Sequence, residues 1–257
     1  RYTEGKKGWK RPLLFIQFAG VAFICGLMYV AMMQYYYILN KDLGYNPKRV
    51  VVANASFGEE EKGNYVLNVF RNMPYVESVS SATYHPVYGY SGPIINDESG
   101  QSLFSSRYCS VPDDYPKMMG MVLKEGRMPR GDDETVVNET FAEWMHWGNN
   151  ILNRTVYNSG YVCKVVDYRI GSFTSPQQPL LLMHTKRFGD CIHVRLKEPF
   201  AENLLKLNKE MESAFPDKTI EFRSMQQMIK ENYNSVRVFS NATMLAAITM
   251  FFVMLMG

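Results

Sequence analysis

The chain has 257 residues, enough for one large domain or two small ones beside a membrane anchor. Its net charge of +3 rests on scattered Lys and Arg, with no basic stripe carrying interleaved aromatics, so composition points away from a nucleic-acid partner. Of the four cysteines, Cys25 falls in an apolar run, while Cys109, Cys163 and Cys191 are odd in number and widely spaced; this excludes a full disulfide framework and a zinc pattern and leaves one bridge open.

Residues 1–11 form a basic segment holding Arg1, Lys6, Lys7, Lys10 and Arg11. Residues 12–40 contain no charge, and 13–33 would run about 31 Å as a helix, against a hydrocarbon core of about 30 Å. A buried helix in a soluble protein is seldom apolar over such a length. Trp9, Lys10 and Arg11 stand before the run, and Tyr35, Tyr36 and Tyr37 stand after its core. Aromatic rings favour both membrane interfaces and basic residues the cytoplasmic one. A transmembrane helix over 12–40 is therefore expected, with a cytoplasmic N-terminus and residues from 41 outside. A signal peptide would have a shorter apolar region followed by a small-x-small site, and Tyr-Tyr-Tyr-Ile-Leu-Asn is not one. Within the span, Gln17 could bond a neighbouring helix. Ala22 and Gly26, with Ala19 nearby, have the small-xxx-small spacing that lets helices approach; the alternative is that all four face lipid.

Two strand–helix–strand units bracket the soluble segment. In the first, 50–55 is a β-branched run that reads as a buried strand. A helix follows over 64–73, with Val66, Val69, Phe70 and Met73 at helical spacing, and Pro74 ends it. A weaker strand covers 76–83. In the second unit, 191–197 alternates: Ile192, Val194 and Leu196 face one way, His193, Arg195 and Lys197 the other. Pro199 opens a helix to Phe215 that shows Phe200, Leu204, Leu207, Met211 and Phe215 on one face. A strand resumes at 220–222. Such a pair of units commonly shares one sheet with both helices on one face, a split βαβ arrangement. Residues 41–86 and 190–224 thus form one α+β subdomain, interrupted by a β-rich insert over 87–189. The insert's expected strands are 107–111, 121–124, 135–137, 160–166 and 179–183, and Asn138 is placed as the N-cap of a short helix. From Met225 the pattern turns helical and runs into a second uncharged stretch, 238–257. Residues 225–257 are therefore expected as one helix, a stalk continuing into a second transmembrane helix. Ending inside a span, the sequence reads as a fragment of a longer polytopic protein.

No catalytic, cofactor-binding or metal-binding residues stand out. GxxxxGK[ST], GxSxG and HExxH are absent, and His85, His146, His184 and His193 lie far apart. His193, on the outward face of its strand, reads as a solvated or edge histidine, and His146 as packed between Trp144 and Trp147. The acidic triplets at 59–61 and 132–134 read as solvated loops.

Several segments together resemble the FtsX-like, MacB-like permeases of ABC transporters, especially those of Bacteroidota. Phe15-Ile-Gln-Phe18 is similar to the start of the family's first membrane helix. Asn40-Lys-Asp-Leu-Gly-Tyr-Asn46 resembles the passage into its periplasmic domain. Gly120-Met-Val-Leu-Lys-Glu-Gly-Arg127 and Val136-Val-Asn-Glu-Thr140 resemble its central motifs, and the order holds over nearly the whole chain. One departure is Val162-Cys-Lys-Val-Val-Asp-Tyr168, which lacks the Gly the family often carries before the valine pair. The resemblance implies a porter-like α+β periplasmic subdomain with an inserted β-rich one, flanked by two transmembrane helices in the cell inner membrane. It implies no enzyme: ATP and Mg would sit on a cytoplasmic ABC ATPase partner. Membrane lipid, a second permease copy or repeat, and a periplasmic partner protein complete the expected partners. The work done would be efflux or other export, lipoprotein extraction, or mechanotransmission to a hydrolase. A second reading is a two-span receptor with an extracytoplasmic ligand-sensing domain, which would show one well-formed polar pocket. A membrane-anchored enzyme ranks last for want of a catalytic constellation.

Overall fold

The computed structural model describes residues 10–256 except 56, 58–59, 89–91, 98, 130, 132–133, 149–151, 153, 156–161, 166, 169–175 and 217. The chain divides into two compact units, Arg1–Lys41 with Tyr233–Gly257, and Asp42–Asn232. The first opens with α1 (Lys10–Asn40), continuous through the apolar run. Its only proline, Pro12, lies in the first turn, where no intrahelical N–H is lost. Among the described residues, Phe15–Tyr37 is the one helical stretch long and apolar enough to cross a membrane.

The second unit begins with β1 (Val50–Asn54), α2 (Glu60–Arg71) and β2 (Val76–Ala82). Then come a hairpin of β3 (Ile94–Asn96) and β4 (Ser102–Ser105), β5 (Arg107–Val111), α3 (Tyr115–Met119), β6 (Leu123–Glu125), β7 (Thr135–Asn138), α4 (Glu139–Trp144), β8 (Val162–Val165) and β9 (Leu180–His184). It closes with β10 (Cys191–Leu196), α5 (Phe200–Ala214), β11 (Arg223–Ser224) and α6 (Met225–Asn232). The hairpin and α3 were not foreseen. The hairpin is short, and its turn hangs on Asp97, whose Oδ1 accepts the amides of Ser99 and Gln101, both at 2.9 Å.

One sheet has the order β11-β1-β10-β2 with every neighbour antiparallel, so each strand–helix–strand unit is split by a strand of the other. Val51, Ala53, Ile192, Val194 and Leu196 on one face bury against Val66, Leu67 and Phe70 of α2 and Leu207 and Met211 of α5. The strand expected at 220–222 starts instead at Arg223. Asn208 takes both backbone groups of Phe222, accepting its N–H at 2.8 Å and donating to its carbonyl at 3.1 Å, so no ladder forms there. The second sheet has the mixed order β5-β9-β7-β8-β6.

The opposite face of the first sheet is not solvated. Val50, Val52 and Cys191 share one core with Cys109, Val111, Val136, Leu180 and Leu182 of the second sheet, with Tyr115, Met118 and Met119 of α3, and with Met225 and Met228 of α6. His193 and Arg195, which the alternation places in water, are 0 % and 6 % exposed. Alternation separates two faces; it does not say what covers the second, and here the insert does. Two further readings are corrected. His146 is exposed just beyond α4, with φ +54°; the tryptophans pack elsewhere, Trp144 against Phe104 and Trp147 against Phe141. Glu134 is buried, with Arg127 donating to both its carboxylate oxygens; residues 132–133 lie outside the described residues.

The helix expected to run unbroken from Met225 is interrupted at Tyr233, beyond which α7 (Asn234–Met256) begins. Asparagines flank the break, and they favour helix ends over helix interiors. Asn234 accepts from the Arg237 guanidinium at 2.8 Å. In the first unit α1 and α7 pack together. The shielded positions are Gln17, Gly20, Val21, Ile24, Met28, Ala31 and Tyr35 on α1 and Val236, Ser240, Thr243 and Ala247 on α7. Gly20 aside, both sets alternate steps of four and three residues, the spacing of left-handed helix pairs. Ser240, Thr243 and Ala247 keep the α7 side small, which permits close approach of the two helices.

Candidate functional site at the neck of the soluble unit

The sequence-predicted positions fall as follows. Lys10 and Arg11 form the first turn of α1; Trp9 lies outside the described residues. Tyr36 and Tyr37 are exposed, while Tyr35 enters the seam with α7. Gln17 is also on that seam; Ala19, Ala22 and Gly26 are exposed on other faces of α1. None of these residues belongs to the soluble unit. Among the described residues of that unit, one dense polar construction lies where its chain begins.

Residues 42–49 form a neck between α1 and β1. Gly44 is fixed by geometry: its φ is +73°, and a Cβ there would lie 2.1 Å from the Asp167 carbonyl oxygen. The neighbouring Tyr45 ring stands edge-on to Tyr168 at 5.5 Å. Asn46 N–H donates to Met119 O at 2.7 Å, and its side chain accepts Lys48 N–H at 3.1 Å. At the end of the neck Arg49, with φ +59°, donates to Leu196 O at 2.9 Å and pairs with Glu77 at 2.7 Å.

Arg195 of β10 reaches this segment from the sheet. Its guanidinium donates to three backbone carbonyls: Lys48 O at 2.5 Å, Asn46 O at 2.9 Å and Met118 O at 2.7 Å. Burial pulls the group below its ordinary pKa; the Glu77 carboxylate opposes this and Arg49 adds to it. A planar fork of five N–H donors fits several carbonyls at once, which an ammonium cannot do in fixed geometry.

Beside Arg195, β10 presents His193. Its Nδ1 lies 3.3 Å from Cys191 O, and the Tyr115 ring stands edge-on to it at 5.0 Å. His193 Nε2, His85 Nδ1 and the Tyr115 hydroxyl are buried without a hydrogen-bond partner. Burial lowers His193 to about 3, with His85 adding to the shift, and lowers His85 to about 4, with Arg223 adding. Burial also raises the Tyr115 hydroxyl and the Cys191 thiol. The imidazoles are thus neutral and the thiol protonated near pH 7, an arrangement poor in nucleophiles. Among the described residues no group of three or more His, Cys, Asp or Glu is placed to hold a metal ion. The chemistry available here is holding, by many directed hydrogen bonds.

Sequence reasoning missed Arg195, Asn46, Tyr115 and His85 as members of one site. The partners of Arg195 are carbonyl oxygens, which every residue carries, so no side-chain pattern marks them. Gly44 was the one local signal.

No protein-family model matches the chain, and no curated protein matches it. Among solved structures, the periplasmic region of MacB from Actinobacillus actinomycetemcomitans superposes at TM-score 0.50 and 17% identity, over 76% of this chain and 97% of that one. The extracellular domain of the noncanonic ABC-type transporter YknZ from Gram-positive bacteria overlaps at TM-score 0.46 and 9% identity, over 68% of this chain and 98% of that one. On the first of these, the chain has the fold of a MacB-like periplasmic region.

Proposed function

We propose that this chain is a membrane permease subunit, or part of one, of an ABC transporter, and that it moves its soluble unit in response to ATP hydrolysed by a separate cytoplasmic ATPase. The observation that carries the reading is the MacB-like fold, matched over 97% of that chain, on a polypeptide whose α1 is long and apolar enough to cross a membrane. The fold alone does not decide function; the neck and its hydrogen bonds suit a part that must pass on displacement. In this reading α7 is a second span, the N-terminus is cytoplasmic and the soluble unit is periplasmic. ATP and Mg belong to the ATPase, and a second permease copy and a periplasmic protein are the remaining partners. Export, lipoprotein extraction and mechanotransmission are the candidate tasks.

The test is purification of the full-length protein from its native membrane, with mass spectrometry of what accompanies it. The expected result is a stoichiometric ABC-type ATPase with ATP hydrolysis in the complex. A kinase or cyclase domain in the same chain, with no ATPase partner, would replace this reading by the receptor.

A further inference from the structure

We infer that Arg195 is a clasp that makes the neck, the insert and the first sheet one mechanical piece, so that movement of α1 reaches the sheet without loss in the joint. The inference rests on the permease reading for its purpose but not for its geometry. The neck follows α1 after a single residue, Lys41, and carries no regular secondary structure of its own up to β1. A segment of this kind ordinarily frays, because its amides lack ladder partners. Here one buried side chain takes two of its carbonyls, from Asn46 and Lys48, and a third, from Met118. Met118 belongs to α3 of the insert, and Arg195 itself sits on β10, a central strand. Three parts of the chain far apart in sequence therefore meet on one planar group.

Two backbone bonds close the same joint without Arg195: Asn46 N–H to Met119 O at 2.7 Å, and Leu196 N–H to Arg49 O at 2.9 Å. The first lies immediately beside the clasp and is the natural reporter of it. If Arg195 holds neck and α3 together, the Asn46 amide stays protected from exchange only while the guanidinium is in place. If Arg195 is merely a filled core position, its loss loosens the whole unit or nothing in particular.

The experiment is amide hydrogen exchange on the full-length protein in lipid nanodiscs, comparing wild type with Arg195→Met and Arg195→Lys. Met keeps much of the apolar stem and removes all donors; Lys keeps the charge and loses the fork. The expected result for Arg195→Met is exchange faster by about tenfold or more at Asn46, Lys48 and residues 118–121, with α2 and β7 unchanged. Arg195→Lys should fall between the two. Neck protection in Arg195→Met equal to wild type overturns the clasp, and so does a uniform loss across β1, β7 and β10. If Arg195→Met does not accumulate, Arg195→Lys decides by the same local-against-uniform criterion. No nucleotide or partner enters the measurement, so the clasp can fail while the permease reading stands, and the reverse.

Discussion

At the scale of single residues, the soluble unit keeps two imidazoles where they resist protonation. His193 is lowered to about 3 and His85 to about 4, chiefly by burial, whereas a histidine in an unfolded chain titrates near 6.5. Between those values the unfolded state binds more protons than the folded one, so stability falls as pH falls. It is full above about pH 7, declines as the pH drops through about 6.5, and stops declining once the folded values are passed. At pH 5 each histidine withdraws about 2 kcal/mol. His193→Phe keeps a ring against Tyr115 and removes both the titrating group and its unpartnered Nε2. Thermal melts at pH 7.5 and pH 5 should therefore show a clearly smaller acid loss for His193→Phe than for wild type. Equal losses in the two proteins would mean that His193 is not held neutral by this environment.

At the scale of elements, Asn138 does the work of three residues. Its Oδ1 accepts the Phe141 amide at 3.0 Å as the N-cap of α4 and the Leu180 amide at 2.9 Å at the start of β9, and its Nδ2 donates to Gln178 O at 3.0 Å. The two accepted bonds are buried and the donated one is part-buried. Asn138→Ala removes a cap, worth about 1 kcal/mol, and leaves the Leu180 N–H and Gln178 carbonyl unsatisfied, so a total loss of about 3 kcal/mol is expected in chemical denaturation. Asn138→Asp retains both accepting bonds and should lose less; an Asp variant as damaged as the Ala variant would contradict the cap assignment. The cap itself was legible, since an Asn before Glu-Thr-Phe-Ala at the end of a β-branched run is a local signal. Its second task, tying α4 to a strand forty residues on, was not, because amide acceptors reach partners that sequence spacing does not encode. The same division runs through the fold. The strands and helices of the split βαβ sheet follow from the β-branched run of β1 and from periodicity in α2, β10 and α5. The burial of His193 and Arg195 follows only from the insert lying over them. The strand at 220–222 failed for a comparable reason: Asn208, on another element, takes both backbone groups of Phe222.

At the scale of the whole molecule, both ends of the soluble unit are fastened to the insert. The chain enters past Asp167, Tyr168 and Met119, and leaves through α6, where Asn232 donates to Val87 O at 2.8 Å. For this to serve a permease, the soluble unit must lie on the side of the membrane away from the ATPase. The sequence argues that side from charge: residues 1–11 carry Arg1, Lys6, Lys7, Lys10 and Arg11, and positive flanks stay cytoplasmic. A reporter cysteine tests it directly. Ser102 is exposed on β4, whereas Cys109 and Cys191 are buried. In a Cys163→Ser background, Ser102→Cys should react with a membrane-impermeant maleimide in intact cells. Thr3→Cys, on the basic segment, should react only after the inner membrane is opened. The opposite order of reactivity would put the soluble unit in the cytoplasm, beside any ATPase, and end the proposal that it works as a periplasmic moving part.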